Sequence, residues 1–231
     1  MLDNCCIVSV GIGQWYPKGI DRLNKSLNEF GARYPRLIYR DEYPPGCPTI
    51  ETHGYAFKPY ALREASTKGF RYLLWVDASI WAIKPIDVIF KKIAEDGHLF
   101  FDNGPINDYV TMGVWCRDAT LPKLGVDREY AMEIPEITTS LFGLDMDRTD
   151  SKIFLERWMN FAHDGETFIV HPRDNSNGEC SLDMRVKGHR YDQTAGSFLA
   201  HELAMKKTHM PNYYAYYEKR GPWSALVNRG M

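Results

Sequence analysis

The stretch LLWVDASIW, residues 73–81, decides how the chain is read. Leu73 to Val76 are apolar, an acid follows at Asp77, and a hydroxyl stands two positions on at Ser79. A short apolar run bounded by polar residues reads as a buried strand, so RYLLWVD (71–77) is assigned as one. The Asp77 carboxylate then emerges at the edge of a sheet. Two readings stay open. Asp77 and Ser79 organise the next turn, or they grip a hard cation, which keeps several waters and takes its other ligands from phosphates.

Working outward, CCIVSV (5–10) is a second short β-branched run, closed by Gly11 and Gly13. Ile20, Leu23, Leu27 and Phe30 then recur at helical spacing, with Gly31 where a C-terminal cap belongs. RLIY (36–39) reads as a strand, 57–67 as a helix ended by Gly69, KPIDVIFKKIAEDG (84–97) as a helix with Asp87 in its first turn, and HLFF (98–101) as a strand. Strands alternating with helices predict an α/β sandwich with a mainly parallel sheet. Beyond residue 102 the pattern loosens. ITTSLFGLDM (137–146) reads as a strand or sheet edge, 150–165 as an amphipathic helix, and TFIV (167–170) as strand-like. A further helix begins at or near Asp192, and the aromatic tail from Asn212 is expected to be packed. With no repeat and no Gly/Ser linker, the expectation is one domain over 1–231. It has a nucleotide-binding half at 1–102 and an acceptor-binding half at 103–231.

Composition narrows the function classes. The 231 residues are 44% hydrophobic, enough for a true core, with 28 basic against 30 acidic side chains. The net charge of -2 argues against nucleic acid, whose affinity rests on phosphate neutralisation. Five cysteines without a CxxC pair argue against a disulfide framework and for a reducing compartment. No apolar stretch approaches the roughly 20 residues of a membrane span, and the opening residues lack the basic region of a signal peptide. A cytoplasmic protein is expected.

In parallel α/β sheets, ligands sit outside the carboxyl ends of the strands. That rule makes the loop from Gly11 to Lys18 a neighbour of Asp77–Ser79. With the strand, loop and helix before it, FKPYALREASTKGFRYLLWVDASIW (57–81) resembles nucleotide-sugar-dependent glycosyltransferases of the GT-A fold. Those enzymes carry an Asp-x-Asp motif after a hydrophobic strand. Asp77 matches its first position, Ala78 the free one, and Ser79 departs from the second Asp, leaving one charge fewer. The resemblance implies a divalent metal, Mn2+ or Mg2+, held by Asp77, Ser79 and a C-terminal histidine, His209. It implies a nucleoside cradle of Ser9, Val10, Gly11 and Tyr16, with the diphosphate at Lys58, Asp77, Ala78 and Ser79. The segment GHRYDQTAGSFLAHELAM (188–205) resembles the DQ helix start that several GT-A families place beside the reacting sugar, which makes Asp192 the catalytic carboxylate.

The same resemblance puts Trp115 and His189 at the acceptor. Arg173, Arg190 and Arg229 are open candidates to reach phosphate or acceptor, and the sequence does not choose among them. A UDP-sugar is the default donor and a glycan or other hydroxyl the acceptor, in glycan or polysaccharide synthesis. Taken from the residues alone, Lys58 reads as a mobile point charge before its helix, less free than most lysines between Phe57 and Pro59, with an ordinary solvated lysine as the alternative. Asp192 doubles as a helix N-cap, Trp115 as a core residue, His209 as a surface residue and His201 as a structural one. Two other functions compete. A haloacid-dehalogenase-type phosphohydrolase would use Asp77 as nucleophile but wants an acid where Ser79 stands. A non-catalytic sugar-nucleotide binder would keep the fold alone.

Overall fold

Successive side chains of CCIVSVG point to opposite faces of a sheet, and here both faces are covered. Cys6, Val8 and Val10 enter one core, and Cys5 and Ile7 the other. The computed structural model describes residues 2–103, 110–171 and 174–229. In chain order the elements are β1 (Cys5–Gly11), α1 (Tyr16–Glu29), β2 (Arg36–Arg40), α2 (Phe57–Thr67), β3 (Tyr72–Val76), β4 (Ile80–Ala82), α3 (Asp87–Asp96) and β5 (His98–Asp102). They continue with α4 (Leu121–Leu124), α5 (Arg128–Glu133), β6 (Ile137–Asp145), α6 (Thr149–Ala162), α7 (Tyr191–Glu202), β7 (Lys207–Thr208), β8 (Tyr214–Tyr216) and β9 (Leu226–Asn228).

Six strands form the central sheet in the order β2-β1-β3-β6-β5-β7. β1 pairs in parallel with β2 and β3, and β5 with β7, whereas β6 runs against both β3 and β5. The result is a mixed, mostly parallel sheet flanked by helices. α2, α6 and α7 supply one core, through residues such as Leu62, Trp158 and Leu199; α1 and α3 supply the other, through Leu23, Leu27, Ile89 and Phe90. Fully buried rings concentrate in the first core, where Phe100, Phe142, Phe154 and Trp158 pack at centroid distances of 4.9 to 6.5 Å. Each such ring contributes roughly 1.5–3 kcal/mol through burial.

Two expectations need correction, and the packed tail brings a sheet that the sequence did not announce. ITTSLFGLDM is no edge; β6 is interior, between β3 and β5. TFIV is not a strand, because Thr167 and Phe168 lie in a turn and Ile169 makes only an isolated bridge to His53. The tail is packed, as β8 and β9, into a second sheet with β4, a strand that was not expected. No described helix is long and apolar enough to cross a membrane, and all five cysteines are free.

Candidate active site

The ends of β1 and β3 and the beginning of β6 share one edge of the sheet. Antiparallel pairing sets Val76 opposite Leu141, and the Asp77 amide donates to the Ser140 carbonyl at 2.8 Å. The Asp77 carbonyl accepts from the Ile80 amide at 2.9 Å, which turns the chain into β4. α2 and α7 both begin at this edge, so two helix N-termini, each with a partial positive charge, face the same space. α1 seats closely behind β1 because residue 11 is glycine; a Cβ there would lie 2.7 Å from the Tyr16 carbonyl oxygen.

At the centre is Lys58, in the first turn of α2. Its Nζ lies 2.7 Å from Asp192 Oδ2 and 3.2 Å from Asp77 Oδ1, and donates to the Thr139 carbonyl at 3.0 Å. Side-chain exposure is 4% for Lys58, 6% for Asp192 and 25% for Asp77, so only Asp77 meets solvent to any extent. Burial opposes the Lys58 charge, but Asp192 and then Asp77 outweigh it and raise the ammonium pKa. Burial likewise pushes the Asp77 carboxyl up, against the opposing pull of Lys58 and of the Trp75 indole. Each carboxylate is held through one oxygen. Trp75 Nε1 donates to Asp77 Oδ1 at 2.7 Å, and Thr139 Oγ1 donates to Asp192 Oδ2 at 2.7 Å. Trp158 Nε1 donates to the Asp192 carbonyl at 3.1 Å and pins the start of α7.

Around this triad lies a cavity of about 590 Å³, within the range of small-molecule sites. Val10, Ile12, Tyr16 and Asp77 to Ser79 line it, and Tyr55, Phe57, Trp115 and Tyr191 supply aromatic faces. Tyr55 and Tyr191 have positive φ values of 61° and 28°, an unfavourable conformation for bulky residues that is concentrated at functional sites. Gly54 makes room for the Tyr191 ring: a Cβ there would meet it at 2.6 Å. Arg190 stacks on Trp115, 3.8 Å from the ring centroid, and its Nη1 lies 3.1 Å from Glu136 Oε2. Glu136 is buried, its pKa raised by that burial, and accepts from Asn103 at 2.6 Å. The guanidinium is thereby fixed on the pocket wall.

The structure brings Val10, Tyr16, Lys58, Asp77, Ala78, Ser79, Trp115, His189, Arg190 and Asp192 to one cavity. It does not bring the rest. Ser9 is fully buried, with its hydroxyl donated to the Val76 carbonyl at 2.6 Å, and Gly11 serves the seating of α1. Lys58 is not solvated: its side chain is buried between Asp192 and Asp77. Asp192 is not an N-cap either, since Arg190 holds that position and the Asp192 side chain turns to Lys58. His189 lines the wall with both ring nitrogens engaged, Nε2 with the Thr167 carbonyl at 2.9 Å and Nδ1 with the Arg117 amide at 3.5 Å. Burial pushes its pKa down to about 4, so it is neutral. His201 is half-buried and meets the Tyr130 hydroxyl through Nε2 at 3.3 Å. Arg229 is exposed beside Glu218 and outside the cavity lining. Arg173 and part of the loop before Trp115 lie outside the described residues.

Ile50, Tyr55, Thr139, Ser140, Tyr191 and Gln193 line the cavity without having been singled out in the sequence. One signal for them existed. Thr138, Thr139 and Ser140 are consecutive hydroxyls ahead of the apolar run Leu141 to Leu144, in a strand where buried polar side chains require partners.

A metal ion is a poor fit to these donors. Among the described residues no group of three His, Cys, Asp or Glu side chains comes together as a ligand set. Asp77 Oδ1 is engaged by Lys58 and Trp75, Ser79 adds no charge, and His209 is exposed and outside the cavity lining. Among the described residues, the cationic side chains at the cavity are Lys58, between the two carboxylates, and Arg190 on the wall.

No family model matches the chain, and no curated protein matches it. Among solved structures the fold is similar to one titled "crystal structure of a glycosyltransferase involved in the glycosylation of the major capsid of PBCV-1". The identity is 12% and the TM-score 0.59, over 97% of this chain and 92% of that one.

Proposed function

We propose that this protein is a GT-A-type glycosyltransferase that moves a sugar from a nucleoside-diphosphate sugar, by default a UDP-sugar, to a hydroxyl acceptor such as a glycan. The observation that carries the reading is the buried Lys58 between Asp77 and Asp192, at the strand edge where α/β sheets bind ligands. The likeness of fold to a glycosyltransferase over nearly the whole chain supports it. In this mechanism Lys58 and Arg190 face the diphosphate and stabilise the charge that develops on it as the bond from the anomeric carbon to the phosphate oxygen breaks. Asp192, whose Oδ1 is not used by Lys58 or Thr139, accepts the proton of the acceptor hydroxyl as the new glycosidic bond forms. Tyr55, Phe57, Trp115 and Tyr191 offer flat apolar faces to sugar rings. The phosphohydrolase alternative lacks its second acid, because residue 79 is serine.

The test is thermal unfolding with UDP, GDP, CDP and dTDP, each with and without Mn2+, followed by turnover of the matching sugar nucleotides. A ligand at a hundred times its Kd stabilises by about 2.7 kcal/mol, worth roughly 5–10 °C in Tm for a domain of this size. Lys58→Met is expected to reduce that shift clearly while leaving it measurable. Asp192→Asn is expected to slow transfer by about 100-fold or more without weakening donor binding. Absence of any nucleotide-dependent shift in the wild-type protein would overturn the reading.

A further inference from the structure

Lys58 serves two carboxylates with one charge. The cluster of Lys58, Asp77 and Asp192 therefore carries a net negative charge before any ligand arrives. Nearby, Arg190 is balanced by Glu136. An arriving diphosphate is a third anion for the same ammonium, and it must draw Lys58 from partners already at 2.7 and 3.2 Å. The closer of these, Asp192, is also the more buried, so its attraction to Lys58 is the less screened by water. The two carboxylates belong to different elements, the β3–β4 turn and the first turn of α7, yet both meet Nζ. Lys58 thus links, through one charged atom, the place where a diphosphate is held and the carboxylate that acts on the acceptor.

The geometry points to Lys58 as a shared counter-ion, with Asp192 competing against the diphosphate for its ammonium and so limiting how tightly the diphosphate product is retained. This rests on the reading of the pocket as a sugar-nucleotide site and assigns Asp192 a second task in the same cycle. During transfer its carboxylate receives the acceptor proton. After transfer that proton passes from Asp192 to solvent, and the carboxylate so restored reclaims Lys58, leaving the diphosphate held by fewer charges.

The experiment is calorimetric titration with UDP and with inorganic pyrophosphate at pH 8, on wild type, Asp192→Asn, Lys58→Gln and the double variant. The asparagine keeps the shape and gives up the charge, so Asp192→Asn is expected to bind UDP about tenfold tighter, within the usual range of site–site coupling. In the Lys58→Gln background the same substitution is expected to gain less than threefold, because the shared ammonium is gone. Unchanged or weaker binding in Asp192→Asn would overturn the proposal. So would an equal gain in both backgrounds, which would signify simple repulsion through space. If Lys58→Gln does not fold, the 15Nζ resonance of Lys58, assigned through Lys58→Arg, gives the second measurement. UDP must perturb it more in Asp192→Asn than in wild type, and an equal response defeats the idea. The outcomes separate the two proposals. UDP binding with identical affinity in wild type and Asp192→Asn leaves the glycosyltransferase reading standing and removes this one. Pyrophosphate binding that follows the pattern above without UDP binding does the reverse. Binding of neither diphosphate removes both.

Discussion

His189 shows how a residue at the site is also a stability element. Its ring is buried and neutral, with its pKa pushed down to about 4 from an ordinary 6.5. A histidine whose pKa is lower in the folded state contributes stability that is fully present above its unfolded pKa and is lost as pH falls through the folded one. The window is therefore between pH 6.5 and about 4. The displacement corresponds to about 3 kcal/mol at its acid end. Denaturant midpoints measured across that range are expected to fall for wild type and to fall much less for His189→Gln. At this scale the sequence was partly legible. Asp77 was marked by its place after an apolar run, and Asp192 by its place at a helix start. What could not be read was their meeting. Sequence spacing says nothing of which side chains share a nitrogen across 134 positions, and a lysine reads as solvated until its neighbours are known to bury it.

Elements explain the second group of successes and failures. The alternation of strands and helices over residues 1–102 is a local periodicity, so those elements were legible with little tertiary information. β6 was harder to place because Thr138 to Ser140 give an interior strand the look of an edge; the Thr139 hydroxyl is engaged by α7, through its bond to Asp192, and Thr139 and Ser140 line the pocket. TFIV looked like a strand but is apolar because Phe168 packs against Trp158 of α6, with centroids 6.4 Å apart. The start of α7 depends on a fit between segments far apart in the chain, with Tyr191 at φ 28° and its ring lying over Gly54. Gly54→Ala is expected to cost about 1–3 kcal/mol by overpacking, read as a lower urea midpoint. Donor binding should weaken with it, because Tyr191 and Asp192 shift together. A midpoint equal to wild type would mean that the ring moves aside freely.

At the scale of the molecule, the sheet ties the two ends of the sequence together. β6 lies between β3 and β5 although it follows both in the chain, and β7 adds to the far edge. A fragment of residues 1–102 would retain β3 and β5 but lose the strand between them, leaving unpaired edges that invite association. It is expected to be unfolded or aggregated by circular dichroism and sedimentation; a folded monomer would contradict this. The second sheet was not legible beforehand because β4, β8 and β9 have three residues each and find one another only through the tail's return. The triad of Lys58, Asp77 and Asp192 has a consequence for descent as well. Replacing Lys58 by a neutral residue leaves two acids without their counter-ion in the interior, and an unpaired buried charge is strongly destabilising. A single step that removes Lys58 is therefore steep, whereas a paired replacement that also removes a carboxylate is closer to level ground. Lineages carrying this arrangement are expected to hold the three positions together or to exchange them in concert, so that each residue constrains the inheritance of the other two.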